Sequence, residues 1–442
     1  MDKDLIHGNI TKSMIYFSIP LILGNLLQQF YNIIDTLIVG QYLGSHALAA
    51  VGSSFTLMTF LTSIILGLCM GSGVLFSMFY GANEINKMKV SFFVSFVSIG
   101  ILSVIIEIIC LLCIHPILHF LNIPRHVYDQ TYNYLIIVFI GIVFTFIYNY
   151  FSSLLRALGD SKTPLYFLAI SAIINIILDI TFITYFKMNT GGAALATIIA
   201  QAISAILLAL YVYKKDKDIL PNKEHCHFDK NIFQKIQSFS LLTCLQQSIM
   251  NFGILMIQGL VNSFGVITMS AFTVAVKIDA FAYMPVQDFG NAFSTFIAQN
   301  KGAGKNQRIH DGIKKAFQLS SVFCVVISVL VYISANWLMQ IFISGHEIEI
   351  IRQGVAYLHI EGACYIGIGW LFLLYGYYRG IGKPGMSVVL TVVSLGTRVF
   401  LSYSLAHIFG TMIIWWSIPI GWFLADVIGI FYGLFKENWR IR

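Results

Sequence analysis

The sequence predicts an all-α integral membrane protein: twelve transmembrane helices in two six-helix bundles, related by a pseudo-two-fold axis along the membrane normal. Three observations predict it. The chain holds twelve apolar runs of spanning length. Its lysines and arginines alternate with those runs in one consistent sense. Its two halves carry the same short motifs in the same order.

The 442 residues are 57% hydrophobic and only 11% charged, against about 25% charged in soluble globular chains. So few charges cannot clothe a soluble protein of this size, and much of the surface must face lipid. The net charge of +7 does not point to nucleic acid, because the basic residues sit in short loops and form no patch with interleaved aromatics. No cleavable signal peptide is expected, since the first apolar run is too long and lacks a small-residue cleavage site. Six of the seven cysteines lie in apolar runs, where they act as small hydrophobes. Cys110 and Cys113 form a CxxC without a zinc-site partner pair. The His225-Cys226-His227 triplet reads as a polar loop rather than a metal site.

About twenty apolar residues cross a bilayer as a helix. By that measure the spans fall near 14–39, 50–79, 91–114, 130–155, 164–185, 191–213, 236–262, 270–299, 313–335, 351–378, 385–407 and 412–435. Several exceed the minimum and are expected to tilt or protrude. If the N-terminus is cytoplasmic, twenty-two of the twenty-seven Lys and Arg fall in inner segments. Only Arg125, Lys187 and Arg352 fall outside, with Lys277 and Arg398 inside spans. An error of one span would scramble this alternation, so the positive-inside rule supports an even count, with both termini cytoplasmic. The expected location is the inner (plasma) membrane.

The longest polar stretch joins halves of similar length. The expected division is an N-lobe at 1–213, a cytoplasmic linker at 214–235 and a C-lobe at 236–442. "GSHALAAVG" from Gly44 aligns with "GVITMSAFT" from Gly265, "YGANEINKMK" from Tyr80 with "KGAGKNQRIH" from Lys301, and "LRALGDSKTP" from Leu155 with "YRGIGKPGMS" from Tyr378. Six spans per half make both halves enter from the same side, a parallel repeat. Two such bundles facing one another leave a central cleft suited to alternating access.

An ionisable side chain at bilayer depth costs about 2.5–3.5 kcal/mol or more. Asp35 lies about 33 Å along the first helix and Asp179 about 24 Å along the fifth, so both are expected in the outer half. Asn175 is one turn before Asp179 on the same face. Thr197 on the sixth helix and Tyr134 on the fourth reach similar depth. Together these oxygens suit Na⁺. They also suit a proton, because burial and a like-charge neighbour both favour the neutral carboxyl. The alternative is a set of unrelated polar residues satisfied by backbone. Pro20 removes a backbone hydrogen bond from the first helix, permitting a static kink or a hinge. In the second half, Lys277, Asp279 and Asp288 share the eighth helix, and Glu361 and Arg398 suit mutual charge pairing. Met256 and Met284, with Asp279 and Asp288, are candidate cleft residues for flat hydrophobic cations. Glu107 and Asp426 suggest no role.

No Walker A motif, HExxH or GxSxG is present, so no P-loop hydrolysis or hydrolase chemistry is expected. The loops are too short for a catalytic domain. A non-enzyme without cofactors is expected, drawing energy from an ion gradient.

Several blocks together resemble the multidrug and toxic compound extrusion (MATE) family, its bacterial DinF-like and MepA-like branch. They are "SIPLILGNLLQQFYNIIDTLIVGQYLGSHALAAVG" from Ser18, "RALGDSKTP" from Arg156, "INIILD" ending at Asp179 and "MPVQDFGNAFSTFIAQNKGAGKNQRI" from Met284. The resemblance covers essentially the whole chain. It implies two six-helix lobes in a V, exporting diverse, mostly cationic organic molecules in exchange for H⁺ or Na⁺. It also implies an N-lobe cation site at Asp35, Asn175, Asp179, Thr197 and Tyr134, with Pro20 as the bending proline. Partners would be small organic cations and the lipid bilayer, the protein acting as a monomer. The related NorM-like branch carries an acid on the seventh helix. This chain has Gln246, Gln247 and Gln258 there and no carboxylate, which argues against a C-lobe site of that kind. A lipid-linked oligosaccharide flippase would need a basic cleft, and only Lys277 and Arg398 lie inside spans. Export of one specific metabolite, or a non-transporting receptor, are the other readings.

Overall fold

The structure, a computed structural model, describes residues 5–121, 123–437 and 439. Lys3, Arg440 and Arg442, used in the topology reading, lie outside the described residues. Among those described there are helices and no strands. Ten helices are long and apolar enough to cross a membrane, and two bent helix pairs raise the count to twelve. The expected spans are therefore present, but two are broken. The fourth is α5 (Arg125–Ile140) and α6 (Ile142–Ala157), bent by 44°. The tenth is α12 (Ile348–Ala363) and α13 (Tyr365–Gly380), bent by 54°.

The described helices form two compact units, one comprising Ile19–Cys244, the other Leu5–Ser18 with the chain from Leu245 onward. α1 (Ile10–Leu43) contributes to both, changing unit one residue before Pro20. The first unit continues with α2 (Ser45–Gly81), α3 (Ile85–Leu112), the short α4 (Ile114–Phe120), α5, α6, α7 (Lys162–Ile180) and α8 (Asn189–Lys215). α9 (Lys230–Asn262) begins in it and ends in the second unit, which adds α10 (Val266–Gly302), α11 (Asn306–Phe342), α12, α13, α14 (Pro384–Phe409) and α15 (Thr411–Lys436).

Lipid-facing sides give no hydrophobic drive to helix packing, so each interior is built from close-fitting small and aromatic residues. In the first unit, Tyr150 on α6 is fully buried among Phe76, Phe92, Phe96 and Phe146 and donates to the Phe92 carbonyl at 2.7 Å. In the second, Phe272 stacks on Trp415 at 5.3 Å with Tyr357 edge-on to both. Before α1, the bent backbone of residues 5–8 is held by side chains of α10, of α11 and of the turn between them. Arg308 donates to the carbonyls of Leu5, His7 and Gly8, Lys305 to Ile6 and Asn300 to Leu5.

The internal repeat is visible in the backbone. Gly44 and Gly265 precede 37-residue helices with φ of 82° and 95°. Asn83 and Gly304 turn the chain between the next pair with φ of 58° and 68°, and Gly159 and Gly382 do so after the bent spans with φ of 87° and 92°. All six lie in the left-handed region, where residues with a Cβ are strained. The aligned motifs are thus the turns that punctuate each half.

Candidate functional site

In the first unit, α7 starts at a capped turn. The Asp160 carboxylate accepts hydrogen bonds from the Thr163 N–H at 3.0 Å and hydroxyl at 2.9 Å, pairing a backbone donor that the helix leaves free. Four turns on, α7 presents Asn175 and Asp179, buried at 2% and 0% exposure. It then widens into a single π-helical turn, Thr181–Tyr185, a distortion often found beside functional groups. α8, which carries the buried Ala193, Ala194 and Ala196, packs on α7 as well as on α5 and α6. That brings Thr197 to Asn175, whose Nδ2 donates to Thr197 Oγ1 at 3.4 Å. The Thr197 hydroxyl donates onward to the Ala193 carbonyl at 3.0 Å.

α1 brings Asp35 to the same place. Its carboxyl lies within side-chain reach of that of Asp179. Tyr134 of α5 is buried within charge reach of both acids. Both Asp179 oxygens, Asp35 Oδ1 and Asn175 Oδ1 are buried without a well-formed hydrogen bond to any described protein donor. Buried acceptors are normally paired, and two ionised carboxylates in contact repel. One proton or one cation shared by the pair would relieve both costs.

Tyr31 was not among the expected residues. It lies one turn before Asp35 on α1, bonds Gln28, and stands within charge reach of Asp35, Asp179 and Tyr148. The i, i+4 spacing to Asp35 was the available signal.

The second-unit candidates lie apart along their helices. Asp279, Met284 and Asp288 are all buried on α10, and Met256 is half-buried on α9, its carbonyl accepting from the Tyr403 hydroxyl at 3.0 Å. Asp279 meets Glu361 of α12 and Tyr365 of α13 rather than Asp288. The expected Glu361–Arg398 ion pair takes a different form. Arg398 lies within charge reach of both acids, and the side-chain contact is between the two carboxyls. Lys277 is exposed. Among the described residues no group of three or more His, Cys, Asp and Glu side chains is arranged to hold a metal ion, the His225-Cys226-His227 stretch included.

The MatE family model matches residues 20–181 and again 241–404, one copy per repeat. A Bacillus subtilis protein described as "Probable multidrug resistance protein YpnP" is 30% identical over 391 residues, covering 88% of this chain and 87% of its own. The "Multidrug export protein MepA" of Staphylococcus aureus is 25% identical over 418 residues, covering 93% and 90%. Among solved structures, a MOP superfamily transporter from Pyrococcus furiosus superposes with a TM-score of 0.92 at 21% identity, over 99% of this chain and 98% of its own.

Proposed function

Because this chain belongs to the MatE family of multidrug efflux transporters, we propose that it is a secondary active exporter of organic, mostly cationic compounds. Export is driven by H⁺ or Na⁺ antiport across the inner (plasma) membrane. The observation that carries the reading is the contact between Asp35 and Asp179, whose buried carboxyl oxygens, like that of the Asn175 amide, have no well-formed hydrogen bond among the described residues.

The mechanism follows from charge. An ion entering from one side neutralises the pair, and its departure restores a negative charge that a cationic substrate can compensate. Pro20 lies next to the point where α1 passes from one unit's packing to the other's. A helix without that backbone hydrogen bond bends there at lower cost, so the position suits a hinge.

The test is transport in proteoliposomes with a pH gradient or a Na⁺ gradient imposed separately. At least one gradient is expected to drive a cationic dye against its own concentration difference. Failure under both removes the antiport reading. Asn175→Ala is expected to weaken the apparent affinity for the driving ion by about tenfold, as loss of an orienting polar neighbour typically does. The maximal rate should fall much less, which a titration of transport against ion concentration reads directly.

A further inference from the structure

The second unit holds a cluster that the antiport mechanism leaves unused. Asp279 on α10 and Glu361 on α12 are 3% and 1% exposed, and their carboxyls are in side-chain contact. Tyr357 of α12 and Tyr365 of α13 reach Asp279, and Tyr357 also reaches Glu361. Tyr283 on α10, Cys364 beyond α12 and Arg398 on α14 lie within charge reach. On α11, which also packs on α10, the buried Cys324 lies beside Gly369 of α13 and Ser320 of its own helix. Asp279 Oδ1, Glu361 Oε1, the Tyr365 hydroxyl and Arg398 Nε are buried without a well-formed hydrogen bond to any described residue.

The repeat relates a tyrosine and the arginine of this cluster, but not its acids, to positions of the first-unit site. Asn175 follows the turn glycine Gly159 by sixteen residues, and Arg398 follows Gly382 by the same sixteen. Tyr134 precedes the bend at Gly141 by seven residues, and Tyr357 precedes the bend at Cys364 by seven. The tyrosine is therefore kept between the halves. The amide that offers an oxygen to a cation in the first is a permanent cation in the second.

Charge counting then sets the load. Two ionised carboxylates and one guanidinium carry a net charge of −1, and one proton brings the cluster to zero. A buried cluster with uncompensated charge is costly. A metal ion would bring its charge close to a fixed arginine, whereas a proton on one carboxyl adds a donor for the contact between the acids.

We propose that Asp279, Glu361 and Arg398 form a second proton-binding site, in which the arginine takes the place of a metal cation, so that the site loads H⁺ and excludes Na⁺. The use of that proton in transport rests on the exporter reading, but its binding does not.

The test is infrared difference spectroscopy, acid minus alkaline, on the purified full-length protein in lipid nanodiscs. The background carries Asp35→Asn and Asp179→Asn, which silence the first-unit pair. A protonated-carboxyl carbonyl component is expected that is lost on adding Glu361→Gln, and lost equally with Asp279→Asn should the first variant not fold. Exchanging K⁺ for Na⁺ is expected to leave the band unchanged with Arg398 present and to diminish it in Arg398→Gln. Absence of a titrating band, a band that both carboxyl variants leave intact, or a band lost to Na⁺ with Arg398 in place would each overturn the proposal. None of these readouts depends on dye export, so failure of the exporter reading is seen separately.

Discussion

Asp35→Asn is expected to reduce export of a cationic dye to the level of cells lacking the protein, while the amount of folded protein in the membrane stays the same. The amide has the size and much of the hydrogen-bonding shape of the acid. It cannot bind and release a proton, and it offers a metal cation no charge. The contact with Asp179 then persists as a neutral amide beside an acid, and the like-charge tension of the native pair is gone. Folding is therefore spared and coupling is lost. Asp179→Asn is expected to behave the same way. The measurement is dye efflux from energised cells, normalised to the protein detected in membranes. Efflux that survives in Asp35→Asn at normal abundance would place the coupling ion elsewhere in the molecule.

The legible part of this architecture is the part written in periodicity. Spans announce themselves by length, and the turns between them by residues that take positive φ, which is why Gly44 and Gly265, or Gly159 and Gly382, could be matched before any coordinates. The bends at Gly141 and Cys364 were not legible. The apolar runs continue through both, and nothing in hydropathy separates a straight helix from two halves set at 44° or 54°. Asp35 and Asp179 stood out because acids are costly at that depth, and Asn175 because it lies one turn before Asp179. Tyr31 did not, because a tyrosine in an apolar run is unremarkable until its neighbour is known. The Asp279–Glu361 contact was hidden for a different reason. It joins residues 82 positions apart on different helices, and charge alone paired Glu361 with Arg398 instead.

The strongest stability effect is expected where helices meet backbone to backbone. A Cβ added at Gly376 on α13 would lie 2.3 Å from the Gly290 carbonyl oxygen on α10, and one at Gly380 would lie 2.7 Å from the Ser294 carbonyl oxygen. A Cβ added at Gly290 would lie 2.7 Å from the Phe372 carbonyl oxygen. The obstacles are main-chain atoms, so no rotamer change relieves them, and the helices must separate. α13 is buried along almost its whole length, and Arg379 at its end binds Asn291 and Ser294 of α10. A shift would therefore disturb polar bonds as well as packing. Gly376→Ala is expected to cost about 1–3 kcal/mol, the usual range for overpacking, and Gly376→Leu to abolish folded protein. Gly396→Ala on α14 is the control, because its Cβ meets nothing within 4 Å and alanine is the better helix former. Thermal unfolding in detergent, followed by the exposure of buried cysteines such as Cys324, separates the two. A Gly376→Ala protein as stable as the Gly396→Ala control would mean that α10 and α13 do not touch through their glycines, and the interior of the second unit would have to be redrawn.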